Sequence, residues 1–162
     1  MGRLKYLCIH CADTPSTMTI TKEMLEEWHM SPKPHGRGWD RLGYSDIIHQ
    51  DGTITNLTPY DEDQIITNAE MTWGATGINS VSRHVVLEGG WYKDEDGVNH
   101  KSGTFDPKDL YSEEQLKALD KYIVSFISKH PQCEVIGHRD TKTTKTCPNF
   151  DVKEYFKNIK LW

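Results

Sequence analysis

Tyr6-Leu7-Cys8-Ile9-His10 is a short, nearly continuous apolar run that ends on an imidazole. A run of this kind marks a strand buried on both faces, as in a sheet covered by helices on either side. Pro15 and the Thr/Ser residues around it end the run, as turn-forming residues do. Two further stretches read as strands: Val81 to Leu87, closed by Gly89-Gly90, and the shorter Cys133 to Gly137. Between them, Thr21 can cap a helix through Met24, Leu25 and Trp28. Tyr44 to His49, Asp51-Gly52 and Thr53 to Leu57 predict a hairpin on a two-residue primed turn. Trp91 to Asp106 reads as a loop or loose hairpin. Ser112 and Gln115 form the pattern of a capping box. They precede a helix with the stripe Leu116, Leu119, Ile123, Phe126 and Ile127, ended by His130-Pro131. Asp151 caps a last helix carrying Tyr155 and Phe156. Strands alternate with helices, which predicts an α/β or α+β class with a mostly buried sheet.

The chain has 162 residues, one domain's worth, and no repeat or linker divides it, so residues 1–162 are expected to form a single domain. No stretch approaches the roughly 18 apolar residues that span a bilayer. The segment Tyr6 to Ile9 is too short for the apolar core of an export signal, so the chain is expected to be cytoplasmic as synthesised. The formal net charge is −5, from 24 acids and 19 bases, with no basic run. That argues against a duplex nucleic-acid binder, which works through a basic face. Without export, Cys8, Cys11, Cys133 and Cys147 read as reduced thiols rather than a disulfide framework.

Metal-competent residues stand at or past strand ends. His10 closes the first strand, His138 follows the last, and Cys147 comes nine positions after His138. Two imidazoles and a thiolate suit zinc, and three protein ligands leave the fourth position open for water, the mark of a catalytic site. Against this stand the blander readings of His10 as a satisfied core residue and Cys147 as an inert buried thiol. Cys8 and Cys11 lie three apart on a strand, so they point to opposite faces and cannot share an ion; both read as packing. His138-Arg139-Asp140 imitates a kinase catalytic loop, but Lys145 stands where the Asn is required and no glycine-rich phosphate loop precedes it.

Ile9-His10-Cys11-Ala12, Trp28-His29, Gly43-Tyr44, Ile47 to Ile54, Leu87-Glu88-Gly89-Gly90, Gly137-His138-Arg139-Asp140 and Cys147-Pro148-Asn149-Phe150-Asp151 occur in a recognisable order. Together they resemble the zinc-dependent N-acetylmuramoyl-L-alanine amidases of the bacteriophage lysozyme type, whose fold the peptidoglycan recognition proteins share. The resemblance runs from about residue 5 to 157. It implies a central mixed β-sheet flanked by helices, one zinc ion on His10, His138 and Cys147, and Tyr44 and Lys145 as the catalytic pair. Substrate contacts are expected from Trp73, Asn79, Glu88 and Trp91, and loop tethering or support of the metal site from Asp140. The implied substrate is peptidoglycan or a muropeptide, cut between N-acetylmuramic acid and L-alanine by a monomer that acts on the wall after release. The alternative is a recognition module of the same fold that binds without cutting. The chain departs from the family pattern in places. Val86 stands where some relatives carry a carboxylate, Gly74-Ala75 where others have His-Ala, and His84 where a glycine is common.

Overall fold

The structure is a computed structural model that describes residues 2–159. Its strands are β1 (Gly2–Arg3), β2 (Tyr6–Cys11), β3 (Asp46–Ile48), β4 (Ile54–Asn56), β5 (Ile65–Ile66), β6 (Ser82–Leu87), β7 (Tyr92–Lys93), β8 (Asn99–His100) and β9 (Glu134–Gly137). Its helices are α1 (Lys22–Met30), α2 (Pro107–Leu110), α3 (Glu113–Lys129) and α4 (Val152–Lys157). Five strands form the central sheet in the order β4-β3-β6-β2-β9. β3, β6, β2 and β9 run parallel and β4 antiparallel at the edge, so the sheet is mixed.

Alternation along the strands sends successive side chains to opposite faces. Leu7 and Ile9 of β2, Val85 and Leu87 of β6 and Val135 of β9 pack against Leu119, Ile123 and Phe126 of α3 and Val152 of α4. On the other face Ile47 and Val86 pack with Leu25 of α1 and with Ile20, Leu42 and Leu57. Burial on both sides is what the unbroken apolar run of β2 requires. It also leaves Cys8, His10 and His84, all at or below 1 % exposure, pointing out of the sheet on the α1 side.

An ion pair ties the first face together. Arg83 Nη2 donates to Asp46 Oδ2 at 3.0 Å, and the Tyr122 hydroxyl of α3 donates to the same oxygen at 2.5 Å. The Arg83 guanidinium lies 3.8 Å from the centre of the Tyr60 ring.

Two local expectations are corrected. The hairpin between β3 and β4 does not use a two-residue primed turn. Gly52 N–H donates to His49 O, and Gly52 alone takes the left-handed conformation, with φ +86°. Asp51 keeps an ordinary φ because its carboxylate accepts from the Thr53 N–H and hydroxyl, giving a longer turn with a bulge residue. At α3, Ser112 caps as expected, its hydroxyl accepting from Gln115 N–H. Gln115 does not return the bond. It is fully buried, and its amide donates to Ile48 O and Glu88 O, pinning the helix start to the ends of β3 and β6. Two small ribbons, β1-β5 and β7-β8, complete the chain; the second is the loose hairpin expected after Trp91.

Candidate active site

The site stands at the carboxyl ends of the parallel strands, where ligands bind in open α/β sheets. Register brings its first two members side by side. Ile9 pairs with Gly137, so His138, the next residue, comes level with His10. Their ring centres are 4.8 Å apart. Cys147 reaches the same point through a loop held at several places. Arg139 N–H donates to Cys147 O, the Tyr111 hydroxyl to Pro148 O, and the Asn149 side-chain amide to Gly90 O and Lys101 O. Asn149 has φ +70°, a conformation asparagine tolerates better than most residues. The ligand atoms of His10, His138 and Cys147 all lie within 4.8 Å of one another.

The donor set fits zinc. His10 Nδ1 is buried and has no hydrogen-bond partner, a costly condition for a ring nitrogen unless something else occupies its lone pair. Burial, then the neighbouring His84 and His138 and Lys145, hold His10 well below the usual histidine range. Burial, then Lys145 and Arg37, lower His138 to about 4. Both imidazoles are therefore neutral at pH 7, the form that ligates a metal. Contact with Cys11 and burial push the Cys147 thiol well up, so a thiolate there would need a cation beside it. Cys11 N–H donates to Cys147 Sγ at 3.2 Å.

Above the cluster opens a cleft of about 480 Å³. Trp28, Trp39, Trp73 and Trp91 line it with Tyr44, and its charged lining is Arg37, Lys101 and Lys145 against a single carboxylate, Asp13. The cleft is thus locally cationic in a chain of net charge −5. Asp13 orients Trp91 by accepting its indole N–H at 2.7 Å. A larger hollow, about 770 Å³, lies between the β3-β4 hairpin and α3 with Lys and Glu of both signs. None of the His/Cys ligand groups found among the described residues opens into it.

Of the residues singled out in the sequence, His138, Cys147, Tyr44, Lys145, Trp73 and Trp91 line this cleft, and His10 stands beneath them, buried against Tyr44 and His138. Tyr44 packs on His10 with ring centres 5.1 Å apart, and burial pushes its phenol far up. Glu88 and Asn79 are not among the lining residues. Glu88 is 3 % exposed and spends its carboxylate on Ile20 N–H, His49 Nδ1 and Gln50 N–H, a tether between loops rather than a substrate contact. Asn79 sits behind the site, against His84. Asp140 accepts from Gly137 N–H and so tethers the turn that carries His138.

Three residues join the site to which the sequence reading assigned no role there. Cys11 touches Cys147 rather than only packing, because the strand end brings both sulfurs within 3.8 Å. His29, lowered to about 4 by burial and Arg37, accepts from Gly43 N–H and packs on Tyr44. Its spacing of four from Leu25 on α1 was the available signal. His84 lies directly behind His10.

The sequence pattern of the family described as N-acetylmuramoyl-L-alanine amidase, Amidase_2, matches residues 1–150. The chain belongs to that family. It is 27 % identical over 153 residues to an endolysin of Klebsiella phage KP32, covering 94 % of this chain and 85 % of the relative. An endolysin of Escherichia phage T7 is 26 % identical over the same shares. Among solved structures, the N-acetylmuramoyl-L-alanine amidase LysC from Clostridium intestinale URNW has TM-score 0.65 at 20 % identity, covering 98 % of this chain and 87 % of that one. Drosophila PGRP-LB has TM-score 0.64 at 22 % identity, covering 98 % and 82 %. These likenesses establish the shared fold, a mixed sheet with helices on both faces.

Proposed function

We propose that the chain is an endolysin-type amidase that uses one zinc ion, held by His10, His138 and Cys147, to hydrolyse the amide between N-acetylmuramic acid and L-alanine in peptidoglycan. The observation that carries the reading is the convergence of two neutral imidazoles and a thiol, within 4.8 Å, at the floor of an aromatic, cationic cleft. The family and the endolysins it is similar to supply the bond and the setting, action on the wall after release.

When bound, zinc supplies Lewis-acid polarisation of the carbonyl and activation of water. The protein's own groups do the rest. Water oxygen adds to the lactyl carbonyl carbon, the C–N bond breaks, and a proton passes to the departing alanine nitrogen. Lys145 lines the cleft beside His138 and places its ammonium where negative charge develops on the carbonyl oxygen. Tyr44 is half-buried and packs against His10, and its raised pKa keeps it a neutral phenol. It holds and orients the attacking water and is not itself a phenolate base. Trp73 and Trp91 offer flat apolar faces to the sugar, and Arg37, Lys101 and Lys145 favour the carboxylates of the stem peptide.

Mass spectrometry of digested peptidoglycan tests the proposal. Peptides with a free L-alanine amine, lost after chelation and restored by zinc, are the expected result. Muropeptide that is bound but never cut, with zinc in place, would make the chain a recognition module instead.

A further inference from the structure

Behind His10 the hydrogen bonds run in one direction. Asn79 Oδ1 accepts from the Ala75 backbone N–H at 2.9 Å, which can only donate, so this atom is the oxygen of the amide. The same oxygen stands 3.0 Å from His84 Nε2, which must therefore carry the proton. A neutral imidazole has one proton, so His84 Nδ1 is bare. It stands 2.9 Å from His10 Nε2 and accepts that nitrogen's proton. His10 is then left with a bare Nδ1, and this is the buried nitrogen for which the protein offers no partner.

The relay is held rigidly. His84 is fully buried on β6, and a side-chain carbon placed at Gly74 would lie 2.5 Å from its Cγ and Nδ1, so the glycine backbone closes on the ring where a larger residue could not.

We propose that His84 is a positioning residue that, oriented by Asn79, locks His10 into the tautomer presenting Nδ1 to the metal. The proposal rests on the zinc reading above. Such outer partners set the orientation and basicity of a ligating histidine. Cys8, His10 and His84 also lie within 4.8 Å of one another and could be taken for a second ion site. The bonds argue otherwise: Asn79 occupies one nitrogen of His84, and the other faces His10 Nε2 at a distance that a shared proton explains.

The test compares zinc affinity, by chelator competition, among the wild type, His84→Leu and His84→Asn. Leucine and asparagine are close in size, but only asparagine puts an acceptor near the place of Nδ1. Zinc binding is expected to weaken about 10–100-fold in His84→Leu and to recover most of that loss in His84→Asn. Unchanged affinity in His84→Leu overturns the proposal. So does a second bound zinc that is lost in both Cys8→Ser and His84→Leu, which would make His84 a ligand. Nitrogen-15 spectra of the zinc-free wild type need no variant. Protons on Nε2 of both His10 and His84 are expected, and a proton on His10 Nδ1 overturns the relay. A wild-type chain that takes up no zinc removes the metal reading, while the spectra still decide the tautomer.

Discussion

Tyr44 and Lys145 differ in how the protein holds them. Tyr44 is pressed between the rings of His10 and His29, whereas Lys145 stands exposed on the loop before Cys147. Tyr44→Phe keeps the packing and removes only the hydroxyl, so zinc content should be unchanged while amide hydrolysis falls about 10²-fold or more. Full activity in that variant would falsify the positioning role. Lys145→Met should lower the rate about 10²–10³-fold, the scale for losing one group that stabilises an oxyanion, with KM for muropeptide changed far less. Equal losses in binding and turnover would show Lys145 to be a simple substrate contact. At this scale the sequence singled out the two imidazoles and the thiol that converge, and said less about the residues around them. His10 and His138 declare themselves as imidazoles at strand ends. Asn79 and Glu88, expected at the substrate, are engaged elsewhere, because which way a polar side chain turns depends on neighbours distant in the chain.

Strand β6 carries two couplings that local patterning does not reveal. Residues 74 and 84 compete for one space, since a Cβ at Gly74 meets the His84 ring at 2.5 Å and Gly43 O at 2.8 Å. The glycine at 74 and the histidine at 84 are thus one feature in space. Gly74→Ala should destabilise by about 1–3 kcal/mol, the range for overpacking, and should be less harmful in a His84→Ala background. Additive losses in urea titrations of the two single variants and the pair would exclude the coupling. On the other face, Arg83 is 2 % exposed with Nε and Nη1 unpartnered, and Asp46 is its counter-charge. Asp46→Ala strands that charge and should cost about 3–5 kcal/mol, read from the urea midpoint. The strands and main helices were legible because apolar periodicity and caps are local signals. The β3-β4 turn and the far end of the Gln115 side chain were not, since one depends on an Asp51 side-chain bond and the other on two strands meeting at a helix start.

Across the whole molecule, burial keeps His10, His29, His84 and His138 neutral in the folded chain, with His29 and His138 lowered to about 4 and His84 to about 3. In the unfolded chain each returns to the ordinary value near 6.5. As pH falls below 6.5 the unfolded state takes up protons that the folded state refuses, so stability drops, by up to about 1.4 kcal/mol per pH unit for each group. The loss continues until the folded values are reached near pH 4 and below. The zinc-free chain should therefore show a Tm that declines steadily from pH 7 to pH 5; a flat profile over that window would contradict the buried, neutral state of these rings. The class of fold, the order of its elements and the residue types able to ligate zinc were all readable in the chain, because each depends on neighbours a few positions away. The partners of His10 came from the register of β2 with β9 and β6, and from a loop returning 136 residues later with Cys147 against Cys11. Hydrogen-bond direction, burial and shared space arise between segments far apart in sequence, and these are what turn a set of suitable residues into a site.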